Sequence, residues 1–228
     1  LRNALAMAID REILTQKVTK GGEIPAYAWV PPRVNDYTGA RVEWAKLSPS
    51  DRISRARQLY ANAGYSRENP LEVQILYNTS DNHKRIAIAI AAMWKQALGV
   101  KTELINQEWK VYLATRRSMQ FQVVRSVWIG DYNDANTFLE LLKGNVGRLN
   151  PSGYANSEYD KTLHEAERET DMKVRSELMR AAESLLLKDL PIIPIYHYTT
   201  QHMVSHRVSG WIDNVMDVHL TKHLSLSP

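Results

Sequence analysis

Hydrophobic and polar positions follow two periods along this chain, and each period predicts a type of element. Apolar residues spaced three and four apart predict a helix over residues 2–20 that stops at Gly21. The same spacing after Ser48, a typical N-cap residue, predicts a second helix that ends at Gly64. Residues 71–77 alternate between apolar and polar, which predicts a strand. The N-terminal third therefore passes from helices into a sheet.

The middle of the chain repeats an order of strand, helix and strand. Apolar positions over 86–98 predict a helix that closes at Gly99, and 100–105 alternates as a second strand. A short helix is predicted over 109–117, and the valine-rich stretch 121–128 predicts a third strand. Strands separated by helices usually pair in parallel, so this order favours an α/β layered fold.

The last third begins with two helices and ends in irregular segments. Long apolar stripes predict helices over 157–170 and 174–190. Residues 191–198 are apolar, β-branched and interrupted by prolines, a pattern that suits a strand crossing between two parts of a protein. Only short alternating pieces follow over 201–226, with a turn at Gly210.

Composition narrows the class of protein. The chain has 228 residues, of which 44% are hydrophobic and 24% charged, as in ordinary folded domains. Its 29 Lys and Arg and 25 Asp and Glu are mixed along the sequence, so the net charge of +4 does not form the basic patch of a nucleic-acid-binding protein. Cysteine is absent, which excludes disulfides, thiol catalysis and iron–sulfur clusters.

Catalytic and metal-binding motifs give no positive prediction. The chain contains neither a G-x-S-x-G nucleophile turn nor a glycine-rich phosphate loop. His202 and His206 are four residues apart, as are His219 and His223, a spacing that brings two ligands together on a helix. Because these segments read as extended, and no third ligand is evident nearby, we predict solvated histidines. The sequence thus predicts no enzyme, no metal site and no cofactor.

One segment does combine groups that bind ligands. Arg125, Trp128 and Asp131 place a cation, a large aromatic ring and an anion within seven residues. They follow the predicted strand 121–128, and open α/β sheets place ligands at the carboxyl ends of their strands. Two readings stay open for Arg125: it binds a ligand, or it forms a core ion pair with a carboxylate.

A set of motifs in this chain resembles one known family. The motifs occur in order as residues 5–25 (LAMAIDREILTQKVTKGGEIP), 63–65 (AGY), 77–84 (YNTSDNHK), 106–110 (NQEWK), 128–138 (WIGDYNDANTF), 190–194 (LPIIP) and 210–214 (GWIDN). Together they resemble the periplasmic oligopeptide-binding proteins of ABC importers, a group that includes murein-peptide and dipeptide receptors. The resemblance extends from the first residues to the last.

The resemblance implies an α/β fold, namely the C-terminal lobe of a two-lobed periplasmic-binding-protein fold of type II, with a mixed sheet flanked by helices. It implies that residues 1–190 form this ligand-binding lobe, truncated on its N-terminal side. Residues 191–228 would be a hinge and a terminal segment that returns to the missing N-terminal lobe. We therefore expect the chain to be a piece cut from a longer protein, as the helical pattern at its first residues also suggests.

The resemblance further implies a non-enzymatic, periplasmic receptor, either free or lipid-anchored, that delivers short peptides to the permease subunits of an ABC transporter. Asp131 matches the carboxylate that binds the peptide's α-ammonium group. Main chain at Val127 and Ile129 would pair with an extended peptide, and Trp128 would form the wall of a side-chain pocket.

Cationic residues would receive the peptide's carboxylate, and the matching positions are Arg116, Arg125 and His83. The alternative for His83 is a role in capping the helix that follows it. For the whole chain, two alternatives remain: the lobe serves as a regulatory or interaction module, or the same fold binds another solute such as nickel or a sugar. We expect no nucleic-acid partner.

Overall fold

The computed structural model describes residues 1–35 and 37–227. Helices and strands alternate through much of this described chain. The helices are α1 (Arg2–Met7), α2 (Arg11–Ile13), α3 (Pro49–Asn62), α4 (Asp81–Leu98), α5 (Trp109–Arg117), α6 (Asn136–Leu139), α7 (Ser157–Arg168) and α8 (Met172–Asp189). The strands are β1 (Ile24–Pro25), β2 (Glu72–Asn78), β3 (Lys101–Gln107), β4 (Val123–Val124), β5 (Tyr196–His197), β6 (Val208–Ser209) and β7 (Ser225–Leu226).

A three-stranded parallel sheet occupies the centre of the fold, with strand order β3–β2–β4. Helix α4 connects β2 to β3, and α5 connects β3 to β4. Two antiparallel pairs, β1 with β5 and β6 with β7, lie outside this sheet. The predicted α/β fold with flanking helices is confirmed, and the chain carries both parallel and antiparallel strand pairs.

Side-chain caps explain where the main helices begin. Ser48 accepts a hydrogen bond from the N–H of Asp51 at the start of α3, and Ser80 does the same for His83 at the start of α4. Asn156 and Asp171 cap α7 and α8 in the same way. These oxygens satisfy amides that have no partner inside the helix. Because such caps are local, the predicted starts of α3 and α7 match the structure and that of α8 is two residues late, whereas α4 begins five residues before its predicted start.

The helix predicted over 2–20 is broken. Residues 8–10 separate α1 from α2, and a π-helical segment, Leu14–Thr19, follows α2. Arg11 is buried at the break, where its guanidinium donates to the carbonyls of Ala6, Ile9, Ala26 and Pro194. Burial lowers the pKa of Arg11 to about 10, so it stays charged at neutral pH. At the break, the carbonyls of Ala6 and Ile9 accept from Arg11, whereas in a continuous helix they would accept from backbone N–H groups.

Two predicted strands are shorter in the structure. The strand predicted over 121–128 is wrong in length, because only Val123–Val124 pairs with β2. After Arg125, whose N–H donates to Leu76 O at 2.8 Å, the described backbone forms no further hydrogen bond with β2, although β2 continues to Asn78. Of the predicted strand 191–198, only Tyr196–His197 pairs, with β1. Its prolines have no N–H to donate to a ladder.

Two hydrophobic clusters form the core. One packs α1, α3 and α4 against the sheet and includes Trp94, whose indole N–H donates to Leu5 O at 2.9 Å. The other packs α6, α7 and α8 around Tyr159 and Leu163. The fully buried Glu183 joins α8 to the loop over 29–40. Among the described residues, no helix combines the length and hydropathy that a bilayer crossing requires.

Candidate functional site

A partly exposed strip with no helix or strand follows the end of β4. The N–H of Arg125 donates to Leu76 O at 2.8 Å, and residues 126–130 then continue without secondary structure. Val127 and Ile129 are 38% and 80% exposed, and their backbone groups form no hydrogen bond within the described chain. Residues two apart on an extended chain direct their backbone groups to the same edge. Unpaired backbone groups at two exposed positions, two residues apart, are what a second, extended chain needs in order to pair by strand addition.

Asp131 lies at the end of this strip. Its backbone N–H donates to Thr137 Oγ1 at 3.0 Å, and Thr137 is fully buried. A Cβ on Gly130 would lie 3.0 Å from both Thr137 and Phe138, so the backbone here is held tightly against α6. The carboxylate of Asp131 is exposed and forms no hydrogen bond or ion pair with any described residue. It is a fixed anion available to a cationic partner.

Trp128 is half-buried beside the strip. Its ring packs against the cluster of α6, α7 and α8. Its indole N–H is buried and has no acceptor among the described residues. Buried donors normally have partners, so this group has an unused capacity for a hydrogen bond.

Arg125 is half-buried and contacts a phenol. Its Nη2 donates to the hydroxyl of Tyr198, and the Tyr196 and Tyr198 hydroxyls are 3.1 Å apart. Among the described residues its guanidinium forms no ion pair, so the core ion pair that the sequence left open is not found there. A tyrosine satisfies part of the guanidinium without neutralising it. The positive charge remains available.

Arg116 lies close to the same strip. Its Nη1 donates to Ser126 Oγ at 2.9 Å. Tyr112, between the two arginines, donates its hydroxyl to the carbonyl of Arg125. Burial raises the pKa of Tyr112, while the charges of Arg116 and Arg125 act in the opposite direction. The structure thus gathers two uncompensated cations at the carboxyl end of the sheet.

His83 faces the same region from the first turn of α4. Its Nδ1 lies 2.9 Å from Asn78 Oδ1, and its backbone N–H donates to Ser80 Oγ at 3.5 Å. Burial lowers the pKa of His83, and the nearby charge of Arg125 lowers it further. The cap of α4 is Ser80, so the capping alternative for His83 is wrong. At neutral pH His83 is a neutral hydrogen-bonding group near Arg125.

Several contacts at this site were not predicted from the sequence. They involve Tyr112, Ser126, Thr137, Tyr196 and Tyr198. A signal existed for two of them: Tyr196 and Tyr198 are two apart in a predicted strand and so share one face. Nothing local indicates that this face meets Arg125, which is 73 residues away in sequence.

The histidine pairs at four-residue spacing do not converge. Residues 202–205 form no helix or strand and His206 lies in a turn, so this pair does not share a helix face. Instead, one histidine from each pair lies close to Asp217. The ligand atoms of His202, Asp217 and His219 are within 4.8 Å of one another. The prediction that no third ligand lies near these histidines is therefore wrong.

One partly open cavity lies away from this strip. A cavity of about 320 Å³ is lined by residues that include Arg117, Met119, Asn150 and Tyr154, and by none of the seven predicted site residues. The strip with Asp131, Trp128 and Arg125 is an open face. Groups that would enclose a ligand there are absent from the described chain.

Comparison with known proteins gives the family. Residues 1–150 match the family described as "Bacterial extracellular solute-binding proteins, family 5 Middle". This match covers well over half of the chain, and the chain belongs to this family.

Curated relatives match along nearly the whole chain. It is 41% identical over 223 residues to the periplasmic murein peptide-binding protein MppA of Escherichia coli, covering 96% of this chain and 41% of that protein. It is 38% identical over 230 residues to the periplasmic oligopeptide-binding protein OppA of Salmonella typhimurium, covering 98% and 42%. The chain spans about two fifths of the length of these relatives.

Solved structures share the fold. The unliganded open form of the murein tripeptide-binding protein MppA superposes with a TM-score of 0.90 at 40% identity, over 99% of this chain and 44% of that one. Haemophilus influenzae OppA in complex with the peptide RPPGFSPFR gives a TM-score of 0.89 at 36% identity, over the same shares. The chain therefore has the architecture of part of a two-lobed periplasmic binding protein.

Proposed function

We propose that this chain is the C-terminal lobe of an extracytoplasmic receptor that captures short peptides between two lobes and delivers them to the permease of an ABC transporter. The observation that carries the proposal is the exposed strip over 125–131. It combines unpaired backbone groups at Val127 and Ile129 with the unpartnered carboxylate of Asp131. Peptide binding by strand addition uses such an edge and does not depend on the peptide's sequence.

Each end of a peptide has a counterpart on this face. The carboxylate of Asp131 binds the α-ammonium group, which is a charge-assisted bond. Arg125 and Arg116 receive the peptide's carboxylate, and Arg125 has free donors for a bidentate contact. His83 is neutral at pH 7, so it contributes a hydrogen bond instead of a charge. Trp128 forms the wall of a side-chain pocket.

The division of the chain follows from the same proposal. Residues 1–190 form the lobe, and 191–228 form a hinge and a terminal segment that packs on the N-terminal lobe of the full protein. Large apolar side chains are exposed on this segment: Met203, Ile212 and Leu226 are 104%, 74% and 73% exposed. Exposed apolar residues of this density mark a surface that another element covers.

The test uses the full-length receptor and its Asp131→Asn variant. Binding of tri- and tetrapeptides is measured by titration calorimetry, with free and N-acetylated peptides. A charge-assisted hydrogen bond contributes about 1.5–3 kcal/mol, so the variant should bind free peptides about 10- to 150-fold more weakly. Acetylated peptides should bind weakly to both proteins. Glu165→Gln, which alters an exposed carboxylate on α7, is the matched control.

A second candidate ligand class has support among the relatives. A probable deoxycholate-binding periplasmic protein of Escherichia coli is 34% identical to this chain, and heme-binding protein A of Haemophilus influenzae is 31% identical. The fold therefore also serves non-peptide solutes. If no peptide stabilises the receptor, or if Asp131→Asn binds peptides as tightly as the wild type, peptide capture by Asp131 is refuted and this class is screened next.

A further inference from the structure

Three side chains meet in the terminal segment, away from the sheet. His202 Nε2 lies 2.6 Å from Asp217 Oδ1, and His219 Nδ1 lies 3.7 Å from the same oxygen. The side chains of His202 and Asp217 are each 33% exposed, and that of His219 is 10% exposed. Two imidazole nitrogens and one carboxylate oxygen thus converge on one partly enclosed point.

The loop that carries Asp217 and His219 is held in shape by its own hydrogen bonds. Asn214 donates to the carbonyls of Ile212 and Val218 and accepts from the N–H of Val218. Asp217 adopts a left-handed backbone with φ 54°, and its N–H donates to Asn214 O at 3.1 Å. The carboxylate is therefore directed by a closed turn, although no helix or strand supports it.

Trp211 orients the two histidines. Its ring stacks on His219, with centroids 3.7 Å apart and an interplanar angle of 10°, and meets His202 edge-on at 5.0 Å. The Nε2 of His219 is buried and has no partner within the described chain, which leaves Nδ1 as the atom that faces the carboxylate. The three groups are thus positioned before any ligand arrives.

We propose that His202, Asp217 and His219 form a binding site for a divalent transition-metal ion. Two histidines and one carboxylate, with a fourth position open, are a common ligand set for Zn²⁺. Tetrahedral Zn²⁺ with bonds of about 2.0–2.1 Å places its ligand atoms about 3.3 Å apart. The two observed separations lie on either side of that value. The ligand atoms of all three residues lie within 4.8 Å of one another, so rotation of the side chains can bring them around a common ion.

The test measures Zn²⁺ binding to the 228-residue chain after treatment with EDTA. Zn²⁺ at 100 times its Kd should raise the melting temperature by about 5–11 °C. His219→Gln and Asp217→Asn should abolish most of this rise. The controls are His223→Gln and His206→Gln, which remove the histidines four residues after His219 and His202 and should keep the rise. Visible absorption of bound Co²⁺ gives an independent record of coordination.

Two outcomes would overturn the site. One is a Zn²⁺-dependent rise that is equal in His219→Gln and in His223→Gln, which would show dispersed surface binding. The other is a wild-type chain with no rise at all. A cluster with a purely structural role would give a different result. In EDTA, His219→Gln and Asp217→Asn would then melt at a lower temperature than the wild type, and Zn²⁺ would raise the melting temperature of neither the variants nor the wild type. Asp217→Asn keeps an acceptor for His202, so it guards against simple unfolding.

Discussion

The buried carboxylate of Glu183 connects α8 to the loop that packs on it. Its Oε1 accepts from the N–H groups of Trp29 and Val30, each at 2.8 Å. Its Oε2 accepts from Tyr37 Oη at 2.7 Å and from Ala40 N at 2.8 Å. Burial raises the pKa of Glu183, although all four donors oppose that shift. We predict that Glu183→Ala strongly destabilises the chain.

The magnitude follows from the groups left behind. Three backbone N–H groups lose their acceptor, and each unsatisfied buried group costs about 1–3 kcal/mol. Relaxation of the loop and entry of water offset part of this sum. We expect a loss of about 4 kcal/mol, in the range of about 3–5 kcal/mol for removing one partner from a buried charge network. For a chain of this size the melting temperature should fall by about 8–16 °C.

Urea unfolding followed by circular dichroism measures this loss directly. Glu183→Gln is the graded comparison, because its carbonyl oxygen keeps the two hydrogen bonds at Oε1 while its amide nitrogen faces the N–H of Ala40. That variant should lose about 2 kcal/mol. If the free energy of unfolding of Glu183→Ala lies within 1 kcal/mol of the wild-type value, the carboxylate does not hold the loop in place. Equal losses for both variants would assign the effect to charge alone.

Three further predictions concern other positions. Burial lowers the pKa of His197 to about 4, while the unfolded chain titrates near 6.5, so stability should fall as pH drops through this window. Between pH 7 and pH 4, the free energy of unfolding of His197→Gln should fall by about 2–3 kcal/mol less than that of the wild type. Curves of unfolding free energy against pH that run parallel for the two proteins would contradict this prediction. Gly130→Ala forces Phe138 to shift and should lower the free energy of unfolding in urea by about 1 kcal/mol. An unchanged urea midpoint would show that the packing has room for the added methyl group. If the chain functions as proposed above, Tyr198→Phe, which removes the acceptor of Arg125, should weaken peptide binding by the full-length protein several-fold, and equal affinities would exclude this effect.

The sequence by itself determined the local elements of this protein. Ser48, Ser80, Asn156 and Asp171 start helices because each side chain bonds an amide two or three residues ahead. Gly99 ends α4 in a left-handed conformation that glycine adopts without strain. The family motifs likewise lie in sequence order. These features depend on neighbours in the chain and are therefore readable from it.

Only the tertiary structure decided how distant residues meet. Arg125 could pair with a carboxylate or face a ligand, and its actual contact with Tyr198 required the terminal segment to return to the sheet. The histidines at four-residue spacing looked like two solvated pairs, yet His202 and His219 share one aspartate. Such contacts depend on the path of the backbone through space, which spacing along the chain does not encode. The shape of the site and the cluster in the terminal segment therefore came from the fold.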